Sequence, residues 1–147
     1  MTTDNRTLAR KLKRSRVTRR NFGGVFAADL IPQPGRFPIS YIVNTDTADK
    51  PGEHWVGLYV KSRDHIYYFD SYARPPNEYL NRYLSQFPKV SSNKKTFQAE
   101  ESTVCGYYTM YFIYMASLGY TMPQIENHLS GPRNPDRFVV QFCNKFF

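Results

Sequence analysis

The sequence has 147 residues, the length of a single domain, and a net charge of +8. Hydrophobic residues make up 41%, and 12 Tyr, 11 Phe and 1 Trp are enough to fill a core, which excludes disorder as the main state. No apolar run approaches the ~20 residues of a membrane span and the first residues lack the apolar stretch of a secretory signal, so the expectation is a soluble intracellular protein with no membrane partner.

The charge is concentrated at the start. Residues 1–20 contain Arg6, Arg10, Lys11, Lys13, Arg14, Arg16, Arg19 and Arg20 against Asp4 alone, so the rest of the chain is nearly neutral. This segment reads as a basic flexible arm, either a solvated, mobile tail or one that attracts nucleic-acid phosphate or serves nuclear import. Residues 21–147 read as one domain. It opens on 22–38, rich in Gly and Pro and expected to be irregular, with Phe22, Val25, Phe26, Leu30 and Ile31 as anchors. A strand over 39–44 follows, then a polar turn to Gly52.

Residues 54–60 (HWVGLYV) and 66–71 (IYYFDS) predict an antiparallel hairpin. Asn77 is placed to cap a helix over 78–87, whose Tyr79, Leu80, Tyr83, Leu84 and Phe87 share a face. A short strand is expected at 96–98. From 106 to 118 the chain is apolar all round and uncharged, the pattern of a helix buried in a core, and Gly119 ends it. Helices over 123–129 and 135–146 complete the chain, the second with Asn134 as cap and Pro135 at its first position. The fold class is α+β: a small antiparallel sheet packed on a central buried helix, with flanking helices.

Two cysteines are too few for a disulfide framework, and three His with two Cys show no ligand spacing, so no metal is expected and no cofactor is required. Cys143 reads as a core residue of the last helix, and His65 and His128 as solvated or structural. Cys105 stands at the start of the central helix, where unpaired N–H groups and the helix dipole favour a thiolate; the alternative is a small buried hydrophobe. His54 opens one hairpin strand and Asp70 closes the other, which brings an imidazole and a carboxylate to one end of the sheet. Taken singly, each also fits a structural role. Gln98, seven residues before Cys105, is placed to donate an amide N–H toward an oxyanion, with the Cys105 backbone N–H as second donor.

The order His54-Trp55, Asp70, Gln98, Cys105-Gly106 resembles the adenovirus-protease (adenain) group of cysteine endopeptidases, and more broadly the clan that includes proteases processing ubiquitin-like proteins. The approach Ile42 to Thr45, a polar loop, then Gly52-Glu53-His54-Trp55 adds to the likeness, which covers about 22–118. The resemblance implies a papain-like/adenain-like fold with His54, Asp70 and Cys105 as catalytic residues and Gln98 in the oxyanion hole. It implies cleavage of viral capsid or core precursors at Gly-Gly or Gly-x-Gly sites during particle maturation, in the host nucleus or the virion. Related proteases occur in adenoviruses and in Polinton-type virus-like DNA transposons, and the short helical tail and Asp70 favour the transposon or a related-virus branch. A monomer is expected. An activating peptide or DNA fits the family, but residues 71–97 hold no Cys, so covalent peptide activation does not carry over. Two rivals remain: release of ubiquitin-like modifiers, and a nucleic-acid-binding module on an inactive protease scaffold using the eight basic residues of 1–20.

Overall fold

The structure, a computed structural model, describes residues 4–49, 54–100 and 102–147. The end of the polar turn and the Gly52-Glu53 pair before His54 lie outside the described residues. One sheet carries β1 (Phe22–Ala27), β2 (Ile39–Asn44), β3 (Trp55–Ser62), β4 (His65–Phe69) and β5 (Lys89–Ser92), in that spatial order. β2, β3 and β4 pair antiparallel, and the expected hairpin is β3–β4, with Gly57 opposite Phe69. The sheet is not purely antiparallel, however. β1 runs parallel to β2 and β5 parallel to β4, because longer crossovers return the chain before each of these pairings.

The expectation of an irregular 22–38 is corrected for its first part, which is β1. Its glycines serve a bulge: the register slips between Phe22 and Gly24, and Gly24 sits at φ +132°, a conformation that favours glycine. The expected strand at 96–98 is also corrected. The N–H groups of Phe97 and Gln98 both donate to the Ser71 carbonyl, while the fifth strand forms at Lys89–Ser92, a polar and mostly exposed edge.

The helices are α1 (Asn5–Arg14), α2 (Glu78–Leu84), α3 (Cys105–Ser117), α4 (Met122–Ser130) and α5 (Pro135–Phe146). Asn77 caps α2 through the Leu80 N–H and Asn134 caps α5 through the Arg137 N–H, as their positions predict. α1 overturns the flexible-arm reading of 1–20. Asp4 caps it through the Thr7 N–H, Leu8 and Leu12 are fully buried in the main core, and the Thr18 hydroxyl closes its far end by donating to the Leu12 carbonyl at 2.6 Å. Charge dominates this segment's composition, but two leucines four apart place one helix face inside. The described part of 1–20 therefore packs into the same core as the rest of the chain.

Both faces of the sheet are covered, so β3 and β4 are buried almost continuously rather than on alternate residues. Val56, Leu58 and Tyr68 pack with Leu80, Tyr83 and Leu84 of α2. Ile42, Tyr59 and Phe69 pack with α3, around which α1, α4 and α5 close. α3 has 13 residues, ten of them buried. It lies against β3 at Gly57, where a Cβ would come within 2.6 Å of the Phe112 ring, and the same ring stacks on Phe69 at 5.1 Å. From Phe112 back to Cys105 is about 10 Å of helix, and from Gly57 back to His54 about 10 Å of strand. One contact thus sets the start of α3 beside the start of β3. Among the described residues no helix is long and apolar enough to cross a membrane.

Candidate active site

His54, Asp70, Gln98 and Cys105 come together at the end of the sheet where β3 begins and β4 ends. His54 is 6% exposed and Asp70 2% exposed, and His54 Nε2 meets Asp70 Oδ1 at 2.6 Å. With Nε2 engaged there, Nδ1 is the ring nitrogen left for other chemistry. The ring interacts with the Cys105 thiol by hydrogen bonding and by charge. Burial alone would lower the His54 pKa, but the hydrogen bonds to Asp70 and Cys105 outweigh it and push it up to about 9. Burial raises the Cys105 pKa, yet His54 and the Trp55 and Gly106 N–H groups bring it below the ordinary thiol value. The two shifts favour the same state, a thiolate beside an imidazolium.

Local sequence explains why α3 begins as it does. Its N-cap is Val104, which makes no side-chain capping bond, and its first turn holds no acidic residue. The N-terminal N–H groups and the positive end of the helix dipole are therefore left to the sulfur and to whatever binds beside it. Cys105 is partly accessible, whereas Cys143 is fully buried, its thiol directed at the Tyr107 carbonyl and its pKa pushed up to about 12 by burial. The two thiols are in opposite states: one is activated and open, the other is a core residue.

Asp70 is held on every side. Its Oδ1 also accepts the Tyr72 N–H and its Oδ2 the Arg74 N–H, while Asn93 accepts its N–H at 3.0 Å and donates to its carbonyl at 2.6 Å. Tyr72 lies against the His54 ring at 4.9 Å and takes the guanidinium of Arg74 at 4.4 Å from its centre. Gln98 is 4% exposed; its Oε1 accepts the Ser71 hydroxyl at 2.6 Å and its Nε2 donates to the Ser102 carbonyl at 2.9 Å. Sequence reasoning missed Ser71, Tyr72, Asn93 and Ser102. The only available signal was the adjacency of Ser71 and Tyr72 to Asp70, since Asn93 comes from a remote polar strand end.

His54, Tyr72, Gln98, Ser102 and Cys105 line a cleft of about 670 Å³ together with Trp55, Thr45 and Gly106, while Asp70, Ser71 and Asn93 stand behind its wall. Trp55 is half-buried, one side on the core and the other in the cleft. His65 bonds Ser91 and His128 meets the edge of Tyr120, both away from the site. Among the described residues no group of three or more His, Cys, Asp or Glu gathers as a metal site would require. The basic residues lie elsewhere: Arg6, Arg10, Lys11, Lys13 and Arg14 on α1, with Arg16, Arg19 and Arg20 in the turns that follow. Of the eight, Arg10, Lys11, Arg14 and Arg16 border a second groove with Tyr114 and Phe146.

The model of the Ulp1 protease family, C-terminal catalytic domain, matches residues 38–134, a stretch that contains all four site residues. R355 of Acanthamoeba polyphaga mimivirus, named as a thiol protease, is 30% identical over an 87-residue alignment that covers 51% of this chain. The chain's match spans 28% of that relative's length. Among solved structures, the ASFV pS273R protease aligns over 99% of this chain and 67% of its own, with a TM-score of 0.72 at 15% identity. The central domain of Lpg1148 from Legionella pneumophila aligns over 98% and 96%, with a TM-score of 0.53 at 17% identity. At these identities the two structures speak for the fold, a mixed α+β domain with flanking helices.

Proposed function

The chain belongs to the Ulp1 protease family of cysteine peptidases, and on that premise we propose that it is an endopeptidase whose nucleophile is Cys105. The observation that carries the reading is the 2.6 Å bond from His54 to Asp70, on a ring that in turn lowers the pKa of the neighbouring Cys105 thiol. The Cys105 thiolate attacks the scissile carbonyl and forms a C–S bond. The oxyanion forms between the Gln98 Nε2–H and the Cys105 backbone N–H. His54, as imidazolium, gives its proton to the leaving amine as the C–N bond breaks. It then takes a proton from water, whose oxygen displaces the sulfur and releases the carboxylate product. Asp70 holds the ring and balances its charge throughout.

The substrates we assign are viral or virus-like precursor proteins cut at Gly-Gly or Gly-x-Gly sites. The likeness to a mimivirus thiol protease and the fold shared with a viral protease support this class. Processing of ubiquitin-like modifiers is the second reading, and the family match itself supports it. The test is a panel of Gly-Gly precursor peptides and modifier conjugates incubated with the purified chain and with Cys105→Ala. Cleavage of the peptides alone is expected. Cleavage confined to conjugates would favour the second reading, and equal cleavage by Cys105→Ala would refute both.

A further inference from the structure

Gln98 can stabilise an oxyanion only if its amide presents N–H, and not C=O, to the cleft. The two ends of an amide are nearly the same shape, so the surroundings must choose between them. Two neighbours do so in this protein. The Ser102 carbonyl, an acceptor only, requires Nε2 on its side at 2.9 Å. The Ser71 hydroxyl donates to Oε1 at 2.6 Å and draws the carbonyl end away from the cleft, into the protein. Ser71 is 1% exposed, and its own carbonyl accepts the N–H groups of Phe97 and Gln98, so backbone and side chain of Gln98 are fixed to the same residue.

We infer that Ser71 is a positioning residue for the oxyanion hole, and that the dipeptide Asp70-Ser71 aligns both halves of the machinery at once. Asp70 sets the imidazole and Ser71 sets the amide. The inference rests on the proteolytic reading of the same site. Without the Ser71 hydroxyl, Oε1 becomes a buried acceptor with no partner, a state that is costly enough for the amide to swing toward cleft water. Nε2, which Ser102 holds through its carbonyl at 2.9 Å and more loosely through its hydroxyl at 3.4 Å, would then no longer present an N–H where negative charge develops.

Two reactions of one sulfur test this. Acylation of Cys105 by p-nitrophenyl acetate passes through a tetrahedral oxyanion and needs no peptide recognition, whereas alkylation by iodoacetamide displaces iodide without an oxyanion. Ser71→Ala is expected to slow acylation about tenfold, the effect of one positioning hydrogen bond, and to leave alkylation and its pH profile unchanged. Gln98→Ala is expected to slow acylation about 10²-fold, and the double variant should be no slower than Gln98→Ala alone. Ser71→Cys, which keeps the volume and a weak donor, should fall between parent and Ser71→Ala, and it carries the test if the alanine variant does not fold. Losses that multiply in the double variant, or that are equal in both reactions, would overturn the inference. A parent chain that is alkylated at Cys105 but never acylated would remove the proteolytic reading itself, and the inference with it.

Discussion

Phe112 of α3 lies so close over Gly57 of β3 that no side chain fits between them: a Cβ at position 57 would sit 2.6 Å from the ring. The ring is fully buried and stacked on Phe69, so it has little room to yield. This contact joins the strand that follows directly on His54 to the helix that begins with Cys105.

Gly57→Ala should therefore cost about 1–3 kcal/mol of stability through overpacking. It should also slow acylation of Cys105 in the fraction that remains folded, because α3 shifts along the sheet. Urea unfolding and ester acylation measure the two effects. Phe112→Leu in the same chain should restore part of both.

Leu8→Ala in α1 should destabilise the protein by about 2–5 kcal/mol, as expected for a fully buried leucine, whereas Arg10→Ala on the exposed face should stay within about 0.5 kcal/mol. Denaturant midpoints compare them. A Leu8→Ala protein as stable as its parent would return the segment to the status of a solvated arm.

The hairpin, the central helix and the caps at Asn77 and Asn134 were legible in the sequence because each rests on local chemistry: alternation, an uncharged apolar run, a side chain that caps its own helix. The convergence of His54, Asp70, Gln98 and Cys105 was legible because the chemistry proposed for them demands specific residue types in that order. What was not legible depends on contacts between remote segments. α1 is helical because Leu8 and Leu12 find a core to enter, and a reading led by the eight cations of residues 1–20 overlooks them. β5 forms because β4 offers an edge, which the polar Lys89–Ser92 does not announce. Ser71 and Asn93 matter only through what the fold brings to them.

Asp70→Asn keeps an oxygen for the Tyr72 N–H but no longer balances an imidazolium. Peptide cleavage should fall about 10²- to 10⁴-fold while the far-UV spectrum stays that of the parent. A variant of parental activity would show that the 2.6 Å bond to His54 serves structure alone.

The pH dependence should differ between substrates. With a peptide, the rate should rise as the Cys105 thiolate forms, below the ordinary thiol range, and fall above about pH 9, where His54 loses the proton owed to the leaving amine. With p-nitrophenyl acetate, whose phenolate leaves without a proton, the alkaline fall in acylation should be absent. The p-nitrophenolate burst rate with the ester and kcat/KM with the peptide, each measured across pH, check this. An alkaline fall of the same size with the ester would assign that limb to something other than proton donation.

The most direct measurement of the thiolate–imidazolium pair is the rate of iodoacetamide alkylation at Cys105, read by mass spectrometry against pH in the parent and in His54→Ala. The parent should react quickly at neutral pH, with Cys143 unmodified, and His54→Ala should react only as the pH reaches the ordinary thiol range of about 8.5. Cys105 titrating as an ordinary thiol in the parent, with no change on removal of His54, would contradict the account.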